Sequence, residues 1–154
     1  MVGSQEQPSP KAALKRDLVL KSYLVLAAIG IAVSIFHAWN ELTASFQYCN
    51  VNPQVSCLSV FESGQTSLFG IPYYVFGLVW FPLALILGFL AVNKMPYGIT
   101  LNGSIILPFL MIGNLFTVFL WYLELGVIGA ICPVCVTLYV INYAMTGLAV
   151  RSIL

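Results

Sequence analysis

The chain is 154 residues long, 60% hydrophobic and only 7% charged, with a mean hydropathy of +0.97 and a net charge of +1. A soluble domain carries roughly 25% charged residues, so this is the composition of an integral membrane protein. No basic patch with interleaved aromatics occurs, which excludes a nucleic-acid face, and the length suits one compact bundle.

Residues 1–10, MVGSQEQPSP, are polar and proline-bearing, and 1–17 are expected to form a disordered tail ahead of a transmembrane domain over 18–154. Four apolar stretches follow, at about 22–39, 71–92, 101–123 and 131–150, each close to the 17 to 25 residues that cross roughly 30 Å of hydrocarbon as a helix. The first is longer than a signal-peptide core and leaves through His37-Ala38-Trp39-Asn40-Glu41 rather than a small-residue cleavage site, so it reads as a retained helix. The expected fold is therefore an all-α, four-helix transmembrane bundle with both termini on one side.

Between the first two spans lies a polar connection, 41–70, expected to act as a lid. Its Asn, Pro, Ser and Gly residues mark turns, and Phe46, Val60, Phe61, Leu68 and Phe69 give it apolar surface to lay on the bundle. A short helix is predicted around Cys57 to Glu62. The other connections, 93–98 and 124–129, are short and imply antiparallel neighbours. Pro82 and Pro108 fall within the second and third spans, while Gly77, Gly88, Gly103, Gly113 and Gly147 allow close helix contact.

All six basic residues, Lys11, Lys15, Arg16, Lys21, Lys94 and Arg151, fall at one end of this bundle, and Glu41, Glu62 and Glu124 at the other. By the positive-inside rule the termini are cytoplasmic and the glutamate end is extracytoplasmic. Cys49, Cys57, Cys132 and Cys135 all lie at that second end.

An extracytoplasmic face is commonly oxidising, and an even cysteine count there favours disulfides, with three pairings open. The pairs close in sequence would close short loops, which gain little stability from cross-linking, so exchange chemistry is favoured over a structural staple. A metal is not expected, since Cys49-x₇-Cys57 is wider than a zinc knuckle. If the last helix begins near Cys132, Pro133 takes the first helical position, and the free amides there favour a thiolate, the nucleophile of thiol–disulfide exchange. A two-electron acceptor must then sit beside the buried sulfur. His37 is expected to be an interfacial histidine, Glu62 and Glu124 solvated, capping or proton-relaying carboxylates, and Trp39, Trp80, Trp121, Tyr73, Tyr74 and Tyr122 mostly an interfacial belt.

Cys49-x₇-Cys57, Ser63 and Phe69-Gly70, then Cys132-x₂-Cys135 with Thr137, Tyr139 and Asn142, together resemble the vitamin K epoxide reductase family over about 22–150. The resemblance implies a four-helix bundle around a quinone (ubiquinone, menaquinone or a vitamin K-like ring), fed by a thioredoxin-like partner. By that resemblance Cys49 exchanges with the partner, Cys57 bridges transiently to Cys132, and Cys135 faces the quinone. Ser63 and Tyr139 stand at the family's ring-contacting serine and aromatic and Thr66 falls where vertebrate members carry an asparagine, and with Phe69 of the lid these are the residues that the resemblance implies as the quinone-binding set. The segment from Ser63 to Phe69 is shorter than in vertebrate members, which points to a prokaryotic homologue in a cell membrane. The sequence ends at Leu154 with no fused thioredoxin-like domain, so the partner is expected to act in trans on a monomer. The expected activity is a thiol:quinone oxidoreductase supporting disulfide formation. Its rivals are a quinone-epoxide reductase and a non-catalytic membrane scaffold tied by disulfides.

Overall fold

The structure, a computed structural model, describes residues 10–92 and 105–153. Four of its helices are long and apolar enough to cross a membrane, over Asp17–Thr43, Tyr73–Ala91, Ile106–Ile128 and Pro133–Arg151. In hydrocarbon no water completes a backbone hydrogen bond, so a chain this apolar must satisfy its amides within helices. The protein is an integral membrane four-helix bundle.

Helix α1 (Pro10–Thr43) starts with proline, which tolerates the first helical position because the N–H it lacks would have no partner there. The helix therefore takes in 10–17 of the expected disordered tail, where a Lys21 Nζ–Asp17 Oδ2 ion pair of 2.7 Å links successive turns. Residues 1–9, the 93–98 turn with Lys94, and Gly103 lie outside the described residues. Helix α1 packs against both α3 (Tyr73–Val92) and α5 (Pro133–Ile153), while α4 (Ile106–Tyr122) packs on α5 and more lightly on α3. Tyr23, Phe81, Leu110, Ile141 and Met145 fill the shared core, and the Tyr23 hydroxyl donates to the Ala84 carbonyl at 3.1 Å. Outward-facing Val25, Leu115 and Val140 are more than half exposed, as the lipid side of a bundle should be.

Close approach, not glycine content, decides which glycines matter. A Cβ on Gly113 would run into the Trp80 indole and one on Gly88 into the Tyr23 ring, whereas Gly147 faces open space and is not a contact glycine. Pro108 sits in the first turn of α4, where no intrahelical donor is required.

The connection between α4 and α5 is not a loop. Helix α4 runs on into a π-helical turn, Leu123–Ile128, stopped by Gly129 in the left-handed region at φ 70°. A π turn adds a residue and rotates the helix face, and here Glu124 is buried, 3% exposed.

The lid contains two short hairpins, β1 (Asn50–Asn52) with β2 (Val55–Ser56) and β3 (Ser67–Leu68) with β4 (Ile71–Pro72), separated by helix α2 (Cys57–Glu62), where a short helix is expected from sequence. The Asn52 carboxamide oxygen accepts from the Gln54 and Val55 amides and shapes the first turn. Ser56 caps α2 by accepting from the Ser59 amide at 3.1 Å. Phe46 plugs the lid into the bundle, 4% exposed and 5.0 Å from the Phe61 ring.

Replacing Gly113 by valine forces the Trp80 indole off its stacked position on Phe109. We expect a loss of about 1–3 kcal/mol, read as a lower midpoint in unfolding from mixed micelles.

Candidate functional site

The lid is tied to the bundle by backbone. The Ile131 amide donates to the Gln54 carbonyl at 2.7 Å and the Ser56 amide to the Ile131 carbonyl at 3.0 Å, a parallel bridge between β2 and a residue two positions before α5. Cys57 follows Ser56, and Cys132 follows Ile131. This register sets the two side chains together, with Cys57 Sγ 2.9 Å from Cys132 Sγ.

Cys57 is itself bonded to Cys49, while Cys132 and Cys135 are free thiols. The sulfurs of Cys49, Cys57 and Cys132 all lie within 4.8 Å of one another. With two of the three oxidised, this is a disulfide with a thiol against it. Cys132 precedes the first residue of α5, and its sulfur accepts from the Cys135 amide at 3.4 Å, the capping position that a serine or aspartate oxygen often takes. Pro133 opens α5, the position that its spacing to Cys132 predicts.

Beneath the sulfurs is a cavity of about 530 Å³ walled largely by aliphatic and aromatic side chains such as Val60, Phe76, Phe116 and Leu138. Cys57, Cys132 and Cys135 border it, as do Thr66 and Tyr139. Ser63 and Phe69 do not. The Ser63 hydroxyl donates to the Val60 carbonyl at 2.6 Å at the end of α2, and Phe69, in the left-handed region at φ 53°, is 96% exposed. Local hydrogen bonding and a tight turn direct these two side chains away from the cavity.

Besides Thr66 and Tyr139, the cavity is bordered by polar residues whose burial or partners differ from expectation. Glu124 is not solvated: its Oε1 accepts from the Tyr139 hydroxyl at 2.9 Å, and its buried Oε2 has no hydrogen bond among the described residues. The carboxyl also interacts with the Cys132 backbone and the Cys135 thiol. His37 is not merely interfacial, since Nε2 lies 3.5 Å from Cys135 Sγ. Ser34, His37 and Glu41 all border the cavity. Their spacing of three and then four residues on an apolar helix is the signal that points to one face. Trp80 is no belt residue either: its indole N–H donates to Asn142 Oδ1 at 3.1 Å, and Asn142 donates to Asn114 Oδ1 at 2.6 Å. Glu62, by contrast, is exposed, as expected of a solvated carboxylate.

An apolar cavity inside a membrane bundle, bordered by a disulfide in contact with a free thiol, defines an integral membrane oxidoreductase built on cysteine pairs. Residues 21–150 match the model of the Vitamin K epoxide reductase family, and the chain belongs to that family. Its members in general use quinones as electron acceptors. The site suits such a ring: flat apolar walls, polar groups near Cys135, and an unpaired buried oxygen on Glu124 able to accept from a hydroxyl.

The sulfur geometry predicts a selective cross-link. In Cys49→Ala/Cys135→Ala, mild oxidation should join Cys57 to Cys132, whereas Cys57→Ala/Cys132→Ala should keep two reduced thiols, both read by mass spectrometry of alkylated protein.

Proposed function

We propose that the protein is a thiol:quinone oxidoreductase that takes electrons from a thioredoxin-like partner in trans and supports disulfide formation outside the cytoplasm. The observation that carries this reading is the 2.9 Å approach of Cys132 Sγ to a sulfur already held in a disulfide, at the border of an apolar cavity. The grouping of all six basic residues at the opposite end supports cytoplasmic termini and an extracytoplasmic cysteine face. The protomer acts alone in this scheme.

The oxidation state described, with Cys49–Cys57 bonded and Cys132 and Cys135 reduced, is one step of a closed cycle. Cys132 and Cys135 form their disulfide by giving up two electrons and two protons. A quinone bound in the cavity supplies the two-electron acceptor and leaves as hydroquinone. A partner thiolate attacks Cys49 and expels Cys57; the partner's second thiol then attacks the partner's own sulfur and frees Cys49. Cys57 attacks Cys132 and expels Cys135. Cys49 attacks Cys57, expels Cys132 and restores the starting state.

Cys49 is 5% exposed, so the partner reaches it only when the β1–β2 hairpin lifts, and that motion also carries Cys57 away from Cys132. In this reading Tyr139 and Thr66 face the ring, the apolar walls exclude water, and Ser63 and Phe69 engage it only when the lid shifts.

Quinone reduction driven by a reduced thioredoxin-like protein should occur in wild type and vanish in Cys135→Ala with every donor. Cys49→Ala should fail with the protein donor yet turn over with a small dithiol. Turnover of an epoxide but of no quinone would instead make the protein an epoxide reductase, and absence of both with the fold intact would leave a scaffold.

A further inference from the structure

His37 is the chain's one histidine, and it stands inside a membrane-spanning segment. An ionisable side chain there is costly unless it is paired or used. Its described contact is with the thiol that borders the cavity: Nε2 to Cys135 Sγ, 3.5 Å, between α1 and α5 and 98 residues apart in sequence. With its proton on Nδ1, the imidazole presents a lone pair to the S–H.

We infer that His37 is a catalytic residue that takes the proton of the Cys135 thiol as the Cys132–Cys135 disulfide forms and delivers it to the acceptor in the cavity. The inference rests on the thiol:quinone reading for the destination of the proton, and on geometry alone for its origin. Closing the disulfide removes one hydrogen from each sulfur. The Cys135 proton passes to Nε2 and from there to one quinone oxygen. The electron pair and the Cys132 proton also go to the quinone, which leaves as hydroquinone, so that the ring of His37 ends unchanged. A cysteine paired with a histidine base is the general device for making a sulfur nucleophile in a site without water.

The other titratable groups around the pair are Glu41 one turn along α1, Glu124 from the π-helical turn, Cys132 just before α5, Tyr139 from α5, and Tyr73 and Tyr74 from α3, all bordering the same cavity. Glu124 accepts from the Tyr139 hydroxyl through Oε1 and its carboxyl also neighbours the Cys135 thiol, so it is the rival base, while His37 is the nitrogen base at hydrogen-bond distance from that thiol.

Cys135 reactivity tests the pair without any quinone. In full-length Cys132→Ser with Cys49–Cys57 oxidised, Cys135 is the remaining free thiol of the four cysteines, and its alkylation by N-ethylmaleimide is followed from pH 5 to 9 in nanodiscs. Adding His37→Ala or His37→Asn should slow alkylation at least about tenfold and remove one limb of the pH profile, and millimolar imidazole should restore the His37→Ala rate. In the otherwise wild-type chain, reduced by a small dithiol, His37→Ala should slow single-turnover reduction of a short-chain ubiquinone by about 10²-fold. Unchanged alkylation and an unchanged pH profile in His37→Asn would overturn the pairing, as would a slow His37→Ala that imidazole does not rescue while His37→Asn behaves as wild type. If the alkylation results hold and wild type reduces no quinone, the pair stands, and both its proposed delivery step and the acceptor are refuted.

Discussion

The site depends on two backbone hydrogen bonds. Ile131 donates to Gln54, just before β2, and accepts from Ser56 within it, and this short parallel bridge fixes the register that sets Cys57 beside Cys132. Each such bond contributes about 1 kcal/mol net, and Phe46, clustered with the buried Cys132, adds an apolar term. These contacts align the sulfurs, and the relay proposed above requires that they also yield when a partner reaches Cys49. A lid fused to the bundle by extensive packing would align them equally well but leave Cys49, already 5% exposed, permanently covered.

Within the membrane the same economy governs the polar groups. Two groups of polar side chains stand out among the described residues of the interior. One, near the sulfurs, holds His37, Glu41, Glu124 and Tyr139. The other, between α3, α4 and α5, joins Trp80, Asn142, Asn114 and Thr146 through hydrogen bonds of 2.6 to 3.4 Å. The second group is saturated with partners and fixes three helices relative to one another. The first is not: Glu41 and Glu124 each keep a buried carboxyl oxygen with no hydrogen bond among the described residues. Buried polar groups that carry structure are satisfied, whereas those awaiting a ligand or a proton are left open.

Much of the fold is legible in the sequence because hydropathy is a local signal. The four spans, α2 at Cys57–Glu62 and Pro133 opening α5 all follow from runs, spacings and proline rules within a few residues. The cysteine pairs are legible for the same reason. What escaped depends on distance in sequence or on rotation. The Val55–Ile131 bridge joins a turn-rich loop to an apolar stretch and has no local signature. Glu124 reads as a loop carboxylate until the π-helical turn rotates it inward. His37 reads as interfacial until α1 is seen to run on past it to Thr43, which puts its ring beside Cys135. Ser63 and Phe69 were placed by resemblance, which carries no information about which way a lid side chain turns in one lid position.

Under the proposed relay, the arrangement of the sulfurs gives a reason for two pairs where one disulfide exchanges as readily. A protein donor must arrive from water, and a lipid-soluble acceptor must bind where water is excluded, so a single pair would have to be both exposed and buried. In the proposed relay Cys49 flanks the exposed Tyr48 and Asn50, Cys135 borders the cavity, and the contact between Cys57 and Cys132 is the junction between them. Each pair then keeps one environment, and only the short lid between them has to move.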